Sequence, residues 1–187
     1  MSRIRNAVSS LFIGSVLLAT TAHADLVNRW SVGTGDALAS IQFDFSDGDT
    51  YVFDVSFVDD GSFSGQDAIE LLGSSSEFSF EYDLINYTFG DFLVGVGIED
   101  SYEFGDGSEP PYVNYWHYWT RESSSIDWES SMIGFGSRIL SDGAEDAWVF
   151  GSNATPSVVP LPGTLALFAG GLMLRRRRCR AFTTDQR

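Results

Sequence analysis

Hydrophobic and polar residues alternate most regularly in the first third of the chain. Ile41, Phe43 and Phe45 are each separated by a polar residue, and the alternation resumes from Tyr51 to Phe57. A repeat of two residues is typical of a β-strand with one buried face. The Asp47-Gly48 pair between the two runs favours a tight turn. This pattern predicts a β-hairpin.

A segment with helical spacing follows the predicted hairpin. The predicted helix is 64–72: Ser64 can cap it, and Asp67 would lie in its first turn. Its apolar face would consist of Ala68, Ile69, Leu71 and Leu72. Shorter apolar runs then predict a series of strands. These predicted strands are 78–82, 87–92, 93–98, 112–121, 128–133, 137–140 and 147–150, with a loop at 100–111. The expected fold is mainly β, or α+β, with one compact antiparallel-sheet domain and a single short helix.

The N-terminal end has the pattern of a Sec signal peptide. Two arginines precede a mostly apolar run at 7–19, and Ala22 and Ala24 form a small-x-small cleavage site before Asp25. Cleavage there would make Asp25 the first residue of the mature protein. The expected partners for this step are the Sec translocon and signal peptidase.

The far end of the chain combines three elements in order: a proline-rich box, an apolar run at 165–174 and an arginine cluster. Prolines end a preceding helix or strand, the apolar run can enter lipid, and the arginines favour the cytoplasmic side. The box consists of Val159, Pro160, Leu161, Pro162 and Gly163, and the membrane stop consists of Arg175, Arg176, Arg177 and Arg178.

This order resembles the PEP-CTERM sorting signal of Gram-negative bacteria that make exopolysaccharide. The resemblance covers Val158 to Arg180. It implies transient attachment to the inner membrane with the domain in the periplasm. It also implies cleavage by an exosortase-type protease and delivery to the cell surface or the extracellular space. The common box has Glu where this chain has Leu161, which leaves the exosortase subtype open.

Two other interpretations fit parts of the tail. The sequence Leu-Pro-Gly-Thr at 161–164 approaches the Leu-Pro-x-Thr-Gly box of sortase substrates, but Leu165 replaces its final glycine. An ordinary tail anchor is the second alternative. A membrane span usually needs about 20 apolar residues, and the run at 165–174 is shorter than that. Its length favours a temporary anchor.

These features divide the chain into a signal peptide (1–24), an acidic β-rich extracytoplasmic domain (25–155), a sorting and membrane segment (156–180) and a cytoplasmic tail (181–187). The acidic domain holds 25 of the 26 acidic residues and three arginines, which gives it a formal charge of −22. Such a surface repels nucleic acid, so a nucleic-acid partner is not expected. Cys179 is the one cysteine, so no intramolecular disulfide can form.

The densest aromatic segment is 112–119. In a strand, Trp116 and Tyr118 would face one way and His117 and Trp119 the other. Rings on both faces favour a strand that is covered on both sides. The alternative is that Trp116, Tyr118 and Trp119 contact carbohydrate, with exopolysaccharide as a partner.

No motif fixes a catalytic or metal site. Glycoside hydrolysis needs two facing carboxylates, and no pattern here singles out a pair among so many acids. His117 is the one histidine of the domain, which leaves a catalytic triad or a zinc site incomplete. The Asp-Gly pairs at 47–48 and 142–143 are more typical of turns than of Ca²⁺ loops. We therefore expect no enzyme activity, no metal and no cofactor.

The central region is similar to β-grasp-like domains of the transcobalamin C-terminal type. The residues that carry this likeness are 68–72, 115–118, 141–143 and 148–150. The likeness implies an antiparallel sheet with one helix. It does not imply cobalamin binding, because the sequence matches no ligand-contact motif. The sequence thus predicts an exported, non-enzymatic surface or extracellular-matrix protein. The alternative is a secreted module that binds polysaccharide or a small ligand through 116–119.

Overall fold

The computed structural model describes residues 25–88, 90–157 and 159. The predicted signal peptide, the predicted box from Pro160 onward and the predicted membrane stop lie outside the described residues. Within them, no helix is long and apolar enough to cross a bilayer. The elements are β1 (Asp25–Gly33), β2 (Ala37–Asp44), β3 (Asp49–Phe57), α1 (Gly65–Ser74), β4 (Phe80–Tyr87), β5 (Gly90–Ile98), β6 (Ser101–Phe104), β7 (Trp116–Arg121), β8 (Glu129–Ser130), a 3-10 helix (Phe135–Ser137) and β9 (Glu145–Phe150).

The strands form two sheets. A large sheet has the order β1-β3-β2-β9-β7-β8, and a small sheet has the order β4-β5-β6. The prediction of a mainly β fold with one short helix is confirmed. The prediction of an antiparallel sheet needs correction, because β1 runs parallel to β3 and β9 runs parallel to β2. A tight turn forces an antiparallel pair, whereas strands joined by long connections are free to pair in parallel.

The predicted hairpin is confirmed as β2 and β3, in which Ile41 lies opposite Phe53 and Phe43 opposite Tyr51. Its turn is stabilised by the Asp47 side chain, whose Oδ1 accepts a 3.0 Å hydrogen bond from the Asp49 amide. Gly48 has φ 99°, in the left-handed region that favours glycine. The local sequence therefore specifies the direction and register of this pair.

The predicted helix is confirmed and extends to Ser74. Ser64 is its N-cap: the Ser64 hydroxyl accepts a hydrogen bond from the Asp67 amide at 3.2 Å, and the Asp67 carboxylate accepts one from the Ser64 amide at 2.7 Å. This reciprocal pair satisfies two amides that a helix start leaves open. Ala68, Ile69 and Leu72 are fully buried against the sheets.

The main core lies between the inner face of the large sheet and a second layer made of the small sheet and α1. Its centre is aromatic. Phe43 stacks on Trp148 with ring centroids 5.3 Å apart, and its edge meets Trp116 at 6.0 Å. Each of these side chains is fully buried. Truncating a buried aromatic ring costs about 3–5 kcal/mol, so this cluster supplies much of the stability of a domain that has no disulfide.

Two predicted strands in the middle of the chain were placed wrongly. The segments 87–92 and 93–98 are largely one strand, β5, which forms a hairpin with β4. The apolar run through 92–98 is nearly continuous, so its pattern did not show where the turn lies. The predicted loop at 100–111 contains β6, which pairs with Gly95–Ile98.

The later strand predictions were too long. The aromatic strand predicted at 112–121 begins at Trp116. The strand predicted at 128–133 is reduced to Glu129–Ser130, and the 3-10 helix occupies part of the strand predicted at 137–140. Several apolar side chains of these segments are exposed loop residues, among them Tyr112, Met132 and Ile139, so their apolar runs do not mark strands.

Candidate functional site

The segment after β9, which leads to the predicted sorting box, is hydrogen-bonded to the outer face of the large sheet. The Ser157 amide donates a 2.7 Å hydrogen bond to Asp44 Oδ2, and the Ser157 carbonyl accepts one from Gln42 Nε2 at 3.0 Å. Asp44 Oδ1 also accepts from Gln42 at 2.8 Å and from the Thr50 hydroxyl at 2.9 Å. We call Gln42, Asp44, Thr50 and Ser157 the linker anchor.

The anchor is buried, since Asp44 is 6% exposed and Thr50 is fully buried. A buried carboxylate is costly unless hydrogen-bond donors surround it, and here Asp44 accepts bonds from three residues. Ser157 supplies one of those donors. The segment after β9 is therefore part of the folded domain up to at least Ser157.

Val159, the first residue of the predicted sorting box, lines a groove of about 330 Å³ on the same face. Arg29 and Asp54 form one wall through two hydrogen bonds of 2.7 and 2.6 Å, and Arg121 pairs with Glu145 at another wall. The groove is thus lined by charged side chains that already neutralise one another. The rest of the box, Pro160 to Gly163, lies outside the described residues.

A second cavity opens between the two sheets, with a volume of about 310 Å³. It lies where both sheets lack a neighbouring strand. Among the described residues, β6 pairs with 95–98 and leaves the start of β5 uncovered, while β8 pairs with Trp119 and Thr120 and leaves the start of β7 uncovered. We call this cavity the aromatic cleft. Its lining residues are Asp91, Phe92, Leu93, Tyr115, Trp116, His117, Tyr118, Ser130, Ser131, Met132, Ile133, Gly134, Phe135, Trp148 and Asn153.

The rings of the cleft are arranged in two groups. Partly exposed rings lie on one side: Phe92 and Tyr115 have centroids 6.1 Å apart at a tilt of 44°, and Tyr115 stacks on His117 at 3.8 Å. More deeply buried rings lie on the other: Tyr118 stacks on Trp148 at 4.5 Å. The cleft therefore presents flat apolar surface to solvent.

Trp116, Tyr118 and Trp119, the three rings of the alternative carbohydrate interpretation, lie in different environments. Trp116 is 1% exposed in the main core, and Trp119 is 8% exposed on the opposite face, packed with Ala147 and Val149. Tyr118 is largely buried by its stack on Trp148. The interpretation of 116–119 as a strand covered on both faces is confirmed. Trp116 and Trp119 do not offer a flat surface to a sugar.

Burial controls the titration of two groups next to the cleft. Burial lowers the pKa of His117, although the hydrogen bond between its Nε2 and the Val113 carbonyl opposes this change. His117 is therefore neutral at pH 7. Burial also raises the pKa of Tyr118, and the neighbouring charge of Asp146 raises it further. Both groups thus line the cleft without charge.

Asp146 is a fully buried carboxylate below the cleft. It accepts a hydrogen bond from the Tyr118 hydroxyl, and Arg138 Nε lies 3.4 Å from its Oδ1. Burial raises the pKa of Asp146 to about 6, while the bonds from Tyr118 and Arg138 oppose that rise. Arg138 also donates to Glu122 at 2.6 Å. This cluster ties the loop after the 3-10 helix to β9.

Within the described part of the chain, no group of three or more His, Cys, Asp or Glu side chains is arranged to hold a metal ion. The Asp-Gly pairs form turns, as the sequence predicted. Asp142 Oδ1 accepts a 3.0 Å hydrogen bond from the Leu38 amide, and Gly143 has φ 84°. These aspartates are therefore engaged in fixing the backbone.

Comparison with known proteins gives no relative from which a function could be transferred. No protein-family model matches the chain, and no curated protein is significantly similar to it. The candidate sites are thus defined by their own geometry. Sequence reasoning pointed to the aromatic segment but missed the cleft, because the cleft depends on where β6 and β8 end.

Proposed function

We propose that this protein is an exported, non-enzymatic cell-surface or extracellular-matrix protein that is sorted by its C-terminal segment. The N-terminal pattern supports export, and the order of box, apolar run and arginine cluster supports temporary attachment to the inner membrane. The strongly acidic domain suits a soluble protein outside the cytoplasm. The resemblance to PEP-CTERM signals supplies the type of processing.

The linker anchor is the structural observation that best supports this proposal. Ser157 is bound to Asp44 and Gln42, and the box begins two residues later at Val159. The described fold therefore reaches to within two residues of the predicted box, which suits a cargo domain that carries its own sorting tag. A long free linker would place no such constraint on the box.

In this proposal, the Sec translocon exports the chain and signal peptidase cuts before Asp25. The apolar run at 165–174 then holds the tail in the inner membrane, with Arg175–Arg178 on the cytoplasmic side. An exosortase-type protease cuts near Pro160 to Gly163. The domain is thereby delivered to the cell surface or to an exopolysaccharide matrix outside it.

The test is the intact mass of the protein from its native host, measured separately in membrane and medium fractions. We expect an extracellular form that starts at Asp25 and ends between Pro160 and Thr164. A membrane form that keeps Arg175 to Arg187, with no shortened form outside the cell, would contradict the proposal and indicate a permanent anchor.

Two variants test the role of the box. Replacing Pro160 and Pro162 with alanine should leave the tail uncut and the chain in the membrane. Thr164→Ala is the matched control, since a sortase would need this threonine and the proposed protease would not. Unchanged processing of the double proline variant, or loss of processing in Thr164→Ala, would show that the box is recognised differently.

A further inference from the structure

We propose that the aromatic cleft binds a short stretch of neutral carbohydrate. This inference goes beyond the sorting proposal and does not depend on it. Specific ligand sites are concave, mostly apolar and supplied with a few polar groups, and they occupy roughly 300–1,000 Å³. The cleft, at about 310 Å³, lies at the lower end of that range. Its size suits one or two sugar rings of a longer chain.

The charge of the lining argues for a neutral ligand. The domain carries 25 acids and three arginines, so its surface as a whole is strongly acidic. Of the described residues that line the cleft, Asp91 alone carries a formal charge, because burial keeps His117 neutral. A single carboxylate and the negative surroundings disfavour an anionic sugar. The lining offers no cluster of acids that would select a cationic one.

The lining also offers what a pyranose ring needs. Sugar rings have flat faces of C–H groups, which pack on aromatic rings, and an equator of hydroxyls, which need donors and acceptors. Phe92 and Tyr115 supply partly exposed rings. The Asp91 carboxylate supplies hydrogen-bond acceptors for sugar hydroxyls, and its Oδ1 already accepts a 2.6 Å hydrogen bond from the Asn86 side-chain amide. The exposed Asn153 side chain has no hydrogen-bond partner among the described residues, so its amide can both donate and accept.

The mouth of the cleft has further unpartnered apolar surface. Met132 is 95% exposed and Ile133 is 52% exposed, and they lie next to one another on its rim. Val113, whose carbonyl binds His117, is exposed nearby. Neighbouring exposed apolar side chains of this kind often mark a binding surface. A polysaccharide that extends beyond the cleft would cover them.

An extended peptide is the main competing occupant, because the start of β7 is an open strand edge. Strand addition depends on a row of main-chain hydrogen bonds. Here the Ser131 amide already donates to the Tyr118 carbonyl at 2.9 Å, which closes part of that edge. The remaining edge spans Trp116 and His117. Two residues are too few to hold a strand on β7, and the peptide probe below tests the open edge at the start of β5.

The test is calorimetric titration of the full chain, purified in detergent, with neutral tetrasaccharides of glucose, mannose and galactose. Tetragalacturonate and a random-sequence octapeptide pool serve as the anionic and peptide probes. We expect at least one neutral tetrasaccharide to bind more tightly than tetragalacturonate, and the peptides not to compete. Failure of all three neutral sugars to bind, tighter binding of tetragalacturonate, or competition by the peptides would overturn the proposal.

Three variants locate the site. Tyr115→Ala should weaken binding about tenfold, the scale of one lost aromatic contact. Tyr102→Ala is the matched control, because Tyr102 is 51% exposed on β6 and does not line the cleft.

Gly134→Leu should abolish binding while the fold is kept. A Cβ at Gly134 would have the Asp91 carbonyl oxygen at 4.0 Å as its nearest contact, so its side chain can fill the cleft without displacing the backbone. Unchanged binding by a folded Gly134→Leu variant would place the sugar elsewhere.

Discussion

Asp44 accepts a 2.7 Å hydrogen bond from the Ser157 amide, which lies 113 residues further along the chain. The two residues join the first hairpin of the domain to the segment that leads into the sorting box. Asp44 Oδ1 binds Gln42 and Thr50 at the same time, so the carboxylate organises both the sheet and the linker. Folding of the hairpin and the position of Ser157 are therefore linked.

The Asp44→Ala variant should be clearly destabilised. Gln42, Thr50 and the Ser157 amide would each lose an acceptor in a buried site, which costs about 1–3 kcal/mol per unsatisfied group. We expect the free energy of unfolding, measured by urea titration, to fall by about 2–4 kcal/mol. Asp47→Ala is the control, because its exposed carboxylate accepts one turn hydrogen bond; its loss should stay within about 1 kcal/mol. Equal losses in the two variants would contradict the role given to Asp44.

Insertions in the linker can distinguish a box that is held near the domain from a box that is free to move. Inserting Gly-Ser-Gly-Ser after Ser157 lengthens the chain between the anchor and the box. The same insertion after Asn153 lengthens an exposed segment upstream of the anchor. Pulse-chase measurement of tail removal should show faster cutting for the first insertion, because the box moves away from the domain. The second should match the wild type.

The two insertions also distinguish failure of the anchor from failure of the sorting proposal. Equal effects of both insertions would mean that Ser157 does not hold the linker during processing. Absence of cutting in the wild type as well would contradict the sorting proposal itself.

Stability should depend on pH through Asp146. Its pKa is raised from 3.8 to about 6, mainly by burial, so the folded state holds a proton that the unfolded state releases between these values. The contribution of Asp146 to the free energy of unfolding therefore falls as pH rises from about 4 to about 6. The difference between the wild type and Asp146→Asn, followed by urea unfolding at several pH values, should decrease by about 1–3 kcal/mol across this window.

Tyr118→Phe provides a second measurement of the same effect. The Tyr118 hydroxyl donates to Asp146 and thereby favours its charged form. Its removal should move the upper end of the pH window to higher pH. A window that does not move would show that the Tyr118 hydrogen bond has little influence on Asp146.

Two glycine substitutions should have opposite effects. A Cβ at Gly65 would lie 2.8 Å from the Phe135 carbonyl oxygen, so Gly65→Ala forces α1 away from the 3-10 helix. We expect a loss of about 1–3 kcal/mol. Gly134 has φ −68° and open space around a Cβ, so Gly134→Ala should be neutral or stabilise the fold by up to about 1 kcal/mol by restricting the unfolded chain. Thermal melting of both variants checks the sign. A destabilised Gly134→Ala would also weaken the design of the cleft-filling variant.

Local signals in the sequence were sufficient for some elements. The Asp47-Gly48 turn specified the first hairpin, and Ser64 with Asp67 specified the start of α1. Each depends on residues that are neighbours in the chain. By contrast, β1 was missed, since a bulge between Leu26 and Asn28 breaks its alternation and its Arg29 is paired with Asp54 on another strand.

The candidate sites depend on contacts between residues that are far apart in the sequence. Alternation along 116–119 gave the two faces of β7, but it could not say that Trp116 lies at the centre of the core. It also could not show that the ends of β6 and β8 leave a gap between the sheets. Likewise, nothing near Ser157 in the sequence indicates that Asp44 binds it. The sorting box and signal peptide stay predictions, because they were read from patterns that lie almost entirely outside the described residues.

The two ends of the described domain lie close together. Asp25 pairs with Asp49 on one side of β3, and Asp44, which holds Ser157, pairs with Thr50 on the other. Two strand spacings separate these positions, about 10 Å. A few glycines could therefore join Ser157 to Asp25, and new termini could be opened at the exposed turn around Gly61. The order of strands along the chain is thus separable from the fold, and a circularly permuted domain should retain the aromatic cleft.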